Sequence, residues 1–135
     1  MQETIIDASI LAKFILKEPG WKNLAKLFKR AKSVDLIAEE VANAIWKVYY
    51  RGLIDLDDAK KRFRALKILL GANIELENGL KFLDEAFEIA LNYKITIYDA
   101  LYLALAKRVP NSILFTSDNK QYEICVKMNL NCKKI

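Results

Sequence analysis

Four carboxylates in this sequence stand where acids are uncommon. Asp7 directly follows the apolar run Thr4-Ile5-Ile6 and opens a stretch of helical spacing. Asp118 follows Ile113-Leu114-Phe115-Thr116-Ser117 in the same way. Asp99 is the only charge between Ile95 and Ala106. Glu40 sits in a stretch where, at about 100° per residue, Ile37, Val41, Ala44, Ile45 and Val48 share one face. Glu40 falls at the border of that face, whereas Glu39 points to solvent. Each acid has a plain structural reading. Asp7 and Asp118 suit helix N-caps. Thr96-Ile97-Tyr98-Asp99 has capping-box spacing. Glu40 could form a rim ion pair with Lys47 or a neighbour.

Taken together, the four acids suggest chemistry. Two end apolar strands, and two lie on helices that a parallel α/β sheet would bring to the same edge. Converging carboxylates repel and cannot all stay ionised without a cation. Ligands that are all oxygen select Mg²⁺ or Mn²⁺ over zinc. Composition narrows the choice further. The 135 residues contain no His, which excludes Ser-His-Asp and Cys-His nucleophiles and His-dependent zinc sites. Two Cys cannot supply a four-Cys zinc site. The net charge of +5 favours a polyanionic partner. A basic chain holding a hard cation fits phosphate chemistry on nucleic acid.

The elements that must position these acids alternate short apolar runs with longer helical stretches, the pattern of βαβ units around a parallel sheet. Thr4–Ile6 reads as the first strand, and Ala8 to about Leu16 as a helix closed by Pro19-Gly20. Trp21–Ala31 has helical spacing, and Val34–Ile37 reads as a second strand. Glu39–Tyr50 is an amphipathic helix stopping at Gly52. Leu56–Leu70 is a helix with Asp55 and Asp58 at its start and Gly71 at its end. Asn73–Glu77 alternates like a strand, and Leu80–Leu91 is helical. Ile97–Lys107 is a helix apolar enough to be buried. Ser112–Phe115, Asn119–Met128 and Cys132–Ile135 read as strand, helix and strand. With no linker or composition break, residues 1–135 read as a single domain. No uncharged apolar run approaches the roughly 20 residues of a membrane span. The acid near the N-terminus does not suit a secretory leader, so a cytoplasmic protein with reduced thiols at Cys125 and Cys132 is expected.

The motifs resemble the PIN-domain family, and in particular the VapC-type toxin ribonucleases of type II toxin–antitoxin pairs. The matching segments are Ile5-Ile6-Asp7-Ala8-Ser9, Leu36-Ile37-Ala38-Glu39-Glu40-Val41-Ala42-Asn43-Ala44-Ile45-Trp46-Lys47, Tyr98-Asp99-Ala100-Leu101-Tyr102-Leu103-Ala104-Leu105-Ala106 and Leu114-Phe115-Thr116-Ser117-Asp118. They come in the family's order and span nearly the whole chain. The resemblance implies a PIN-like three-layer fold with a central parallel sheet flanked by helices and an acidic pocket at the sheet edge. It implies Asp7, Glu40, Asp99 and Asp118 as catalytic, metal-holding acids, with Ser9 and Thr116 as supporting hydroxyls. It further implies a Mg²⁺- or Mn²⁺-dependent endoribonuclease that hydrolyses RNA, is a homodimer and is held by a cognate antitoxin. Two positions depart from the family pattern. Val34 stands where many members have Pro. Asn119 and Lys120 follow Asp118, and the next acid is Glu123, which weakens the case for a second firmly held ion.

Lys47 and Arg51 lie one turn apart beyond Glu40 and are the candidate RNA-binding cations. The runs Lys22–Lys32 and Lys60–Lys67 could also meet phosphates, or simply be solvated helix faces. Tyr98 and Tyr102 could stack on bases or pack in the core. Apolar residues left exposed on Trp21–Ala31 and Leu56–Leu70 would suit an antitoxin helix. Two competing readings remain. One is a catalytically silent PIN-like module that binds RNA or protein. The other is an Asp-dependent phosphatase or phosphotransfer domain, which usually wants a second acid beside the first, where Ala8-Ser9-Ile10 offers none.

Overall fold

The computed structural model describes residues 2–135. Five short strands, β1 (Glu3–Ile6), β2 (Ala31–Val34), β3 (Ile74–Glu77), β4 (Ser112–Thr116) and β5 (Cys132–Lys134), form one sheet in the order β3-β2-β1-β4-β5. Every pairing is parallel. Six α-helices connect or flank the strands: α1 (Ala8–Ile15), α2 (Ile37–Tyr50), α3 (Leu56–Ala72), α4 (Leu83–Tyr93), α5 (Ile97–Arg108) and α6 (Asn119–Lys127). Short 3₁₀ segments cover Trp21–Lys29 and Gly79–Phe82. This is the α/β architecture expected from the sequence.

A parallel sheet is covered on both faces, and its strands therefore read as apolar runs. Ile5, Ile6, Val34 and Leu114 are fully buried. So is most of Ala100–Ala106 on α5, the helix the sequence marks as interior. α2 stops where the sequence suggests, with Arg51 as C-cap and Gly52 at φ 75°, a left-handed position that suits glycine.

Some expected boundaries move. The second strand is not Val34–Ile37 but Ala31–Val34, in register with β3 from Ala31↔Ile74 to Val34↔Glu77. Ile37 instead opens α2, because its face carries on through Val41 and Ile45, all three buried. Gly71 does not end α3, which runs on to Ala72 with Asn73 as C-cap. The expected helix Leu80–Leu91 divides into a 3₁₀ turn and α4. The cysteines are also corrected: Cys125 and Cys132 form a disulfide and are not free thiols, with Cα atoms 6.3 Å apart. The turn from α6 into β5 brings a buried helix residue against the first residue of the edge strand, within the usual span of such a bond.

Candidate active site

The strand order reverses direction beside β1. Its neighbour β2 follows it through α1, while β4 on the other side arrives only after β3 and four more α-helices. In open α/β sheets such a switch point, at the carboxyl ends of the strands, is where ligands gather. Asp7 follows β1 and Asp118 follows β4, on adjacent strands joined from Glu3↔Ser112 to Ile6↔Phe115. α2 brings Glu40 to this edge in its first turn, and α5 brings Asp99 in its first turn.

The capping readings hold, yet they leave room for chemistry. Asp7 caps α1 by accepting from the amides of Ser9 at 3.1 Å and Ile10 at 3.4 Å, both on Oδ1. Asp118 caps α6 by accepting from the amides of Lys120 at 2.8 Å and Gln121 at 3.1 Å, again both on Oδ1. The caps therefore engage one oxygen of each carboxylate. Thr96 caps α5 by accepting from the Asp99 amide at 3.2 Å. The alternative of a rim ion pair from Glu40 to Lys47 or a neighbour does not form among the described residues. Instead the Tyr102 hydroxyl donates to Glu40 Oε1 at 2.5 Å.

Ser9 and Thr116 support the acids. The Ser9 hydroxyl donates to Asp7 Oδ1 at 2.5 Å, accepts from the Ser117 amide at 2.9 Å, and lies 3.3 Å from the Thr116 hydroxyl. Thr116, fully buried, accepts from the Asp118 amide at 3.1 Å. This hydroxyl pair joins the ends of β1 and β4 and fixes the spacing of the two aspartates.

Burial dominates the electrostatics of three of these acids. Asp7 is 4% exposed, and burial pushes its carboxyl up to about 6 against the opposing hydrogen bonds from Ser9 and Thr116, with repulsion from Asp118 adding to the rise. Burial also raises Glu40, and Asp99 adds repulsion. Asp99 is raised by burial and then by Asp118, with Lys120 pulling the other way. The four acids thus form a chain of mutual repulsion from Asp7 through Asp118 and Asp99 to Glu40. None of them makes a salt bridge among the described residues.

Comparison with known proteins decides the family. The sequence matches the PIN domain over residues 4–127. The chain belongs to the PIN-domain family. A curated relative, Ribonuclease VapC3 from Pyrobaculum aerophilum, is 32% identical over 113 residues, covering 82% of this chain and 86% of that one. The crystal structure of PAE2754 from the same organism superposes with a TM-score of 0.67 at 27% identity, covering 91% of this chain and 84% of that one. The resemblance to VapC-type members of the family, read from the motifs, stands.

In this PIN domain, Asp7, Glu40, Asp99 and Asp118 make an all-carboxylate donor set, the chemistry that suits a hard divalent cation. Among the described residues, however, no group of three or more His, Cys, Asp or Glu side chains is close enough to hold an ion as it stands. Asp118 is exposed and Glu40 and Asp99 are half-buried. Lys47 and Arg51 lie about 10 and 16 Å along α2 from Glu40, on nearly the same helical face. Both are exposed, and neither is among the charges that act on Glu40.

Two contacts of the site are not legible in the sequence. Of the two readings of Tyr102, base stacking and core packing, the structure bears out the core, and what the sequence does not show is the bond of its hydroxyl to Glu40. The spacing of Tyr102, three from Asp99 on one helix, was the available signal. Gln121, 4% exposed, donates through Nε2 to the Asp99 carbonyl at 3.1 Å and ties α6 to α5. A glutamine in a helix first turn gives no such signal.

Proposed function

We propose that this PIN domain is a Mg²⁺- or Mn²⁺-dependent endoribonuclease and the toxin of a VapBC-type toxin–antitoxin pair. One observation supports this reading: the ends of β1 and β4 and the first turns of α2 and α5 carry four acids toward the switch point, and burial raises three of them, with repulsion among the acids adding to the rise. The likeness to Ribonuclease VapC3 supports RNA as the substrate. Asp7, Asp99 and Asp118 would hold the cation, and Glu40 would either join them or orient the attacking water. When bound, the cation supplies acidification of water and neutralisation of charge on the scissile phosphate. Ser9 and Thr116 hold Asp7 in place, and Lys47 and Arg51 extend the substrate path along α2.

Two exposed apolar faces support the partners. Leu83, Phe87 and Leu91 form a stripe at i, i+4 spacing on α4 and suit a second copy in a homodimer. Between α2 and α3 lies an apolar groove of about 410 Å³ lined by Ile45, Trp46 and Phe63 with Lys60 and Arg64 among its wall residues. It suits an amphipathic antitoxin helix carrying acidic flanks. No helix among the described residues is long and apolar enough to cross a membrane. The reading places the protein in the cytoplasm with its RNA. A disulfide there is common in hyperthermophiles and rare in mesophiles.

The test is calorimetric titration of Mn²⁺ into wild type and into Asp7→Asn plus Asp99→Asn, followed by RNA cleavage assays. Saturable binding and cleavage, both absent from the double variant, are expected. The spacing of the acids favours a second reading, a silent module that binds RNA without cleaving it. Under that reading wild type and Asp7→Asn would bind RNA equally and neither would cleave.

A further inference from the structure

We propose that Tyr102 is a positioning residue of this site, whose hydroxyl fixes one oxygen of Glu40 and leaves the other for the cation or the attacking water. The inference rests on the metal-dependent reading above. Tyr102 is 1% exposed and lies in the otherwise aliphatic run Ala100–Ala106. Phenylalanine would fill the same space, so packing does not explain the hydroxyl. A buried phenol hydroxyl needs a partner, and this one spans 62 residues of sequence to reach Glu40 Oε1 at 2.5 Å. Glu40 Oε2 accepts no hydrogen bond from the described residues.

The choice of donor is informative. A Lys or Arg at this point would orient Glu40 but also neutralise it, and would compete with a divalent ion for the pocket. A phenol orients without adding charge. Fixing a glutamate, whose side chain is rich in rotamers, before the ligand arrives removes part of the ordering cost from binding. Outer-shell partners of this kind typically affect metal affinity about 10–100-fold. α5 also presents Asp99 and Tyr102 three residues apart, so one helix would supply both an acid and the device that sets the acid on α2.

The experiment compares Mn²⁺ affinity, by calorimetry and by electron paramagnetic resonance of free Mn²⁺, in wild type, Tyr102→Phe, Glu40→Gln and the double variant. Tyr102→Phe should keep the wild-type circular dichroism and weaken Mn²⁺ about tenfold. The double variant should bind no more weakly than Glu40→Gln, because Tyr102 acts only through Glu40. Additive losses would make Tyr102 a structural residue and overturn the inference, as would unchanged affinity in Tyr102→Phe. Wild type that binds no Mn²⁺ would overturn the metal-dependent reading itself. A second measurement needs no change at position 102. In 3-fluorotyrosine-labelled protein the Tyr102 resonance should shift on saturation with Mg²⁺, and Glu40→Gln should abolish that shift. A resonance indifferent to Mg²⁺ would also overturn the inference.

Discussion

At the scale of the residue, Asp7 does two jobs that oppose each other. It caps α1, and it carries a buried charge facing Asp118. Its carboxyl titrates at about 6 in the folded protein against a reference of 3.8. Because the folded value is the higher, its contribution to stability is fully present below about pH 4 and is lost as pH rises through 6. In chelator, the unfolding free energy should fall by about 3 kcal/mol from pH 4 to pH 8 on account of this one group. Glu40 and Asp99 act in the same direction. Asp7→Asn should flatten that part of the profile, and denaturant melts across the range would detect it. Parallel profiles for wild type and variant would assign the pH dependence elsewhere. The four acids were legible in the sequence because each interrupts an apolar pattern. Ser9 was legible through the family resemblance, and it meets Asp7 two residues away. The Tyr102 hydroxyl was not: it breaks no periodicity, and its contact with Glu40 spans 62 residues.

At the scale of the element, order and type were legible from apolar spacing, while boundaries were set by pairing. Residues 31–34 form β2 because β3 offers a parallel partner in that register. Nothing local distinguishes that run from 34–37. The Cys125–Cys132 bond is likewise a product of tertiary geometry. The cysteines lie seven positions apart, and only the α6-to-β5 turn reveals that they meet. Closing so short a loop restricts the unfolded chain by about 2.5 kcal/mol on the chain-entropy account. Reduction, or Cys125→Ser with Cys132→Ser, should therefore lower the unfolding free energy by about that amount in a denaturant melt. A melt insensitive to reductant would mean that the pair is open in solution. The two cysteines alone suggested the opposite state, because compartment base rates say nothing about distance.

At the scale of the whole molecule, charge and apolar surface govern association. Lys47 and Arg51 stand on the helical face of Glu40 but beyond its electrostatic reach, so their contribution should be to binding and not to the acids. With cleavage disabled by Asp7→Asn, binding to single-stranded RNA should weaken linearly in log salt. Lys47→Ala and Arg51→Ala should each reduce that slope by about 0.7. An unchanged slope would remove them from the RNA path. Light scattering should give the mass of a dimer, and Phe87→Glu, placed in the α4 stripe, should give a monomer. A wild-type monomer would leave that face to another partner. The net charge of +5 was legible from composition. Which apolar residues remain outside was not. Phe63 and Leu66 lie three residues apart on α3, yet Phe63 is 46% exposed while Leu66 is 1% exposed.

The shared use of Asp7 and Asp118 as helix caps has a consequence for how this molecule changes over generations. Asparagine caps a helix about as well as aspartate, and its side-chain oxygen can occupy the place of Oδ1. One nucleotide turns an aspartate codon into an asparagine codon. An amide at either position would keep the helix start, remove the repulsion between neighbouring acids and leave a better-behaved protein with its reactive charge gone. Drift toward a stable, silent copy is therefore downhill for folding. The charge persists only while some use of it outweighs the stability it costs.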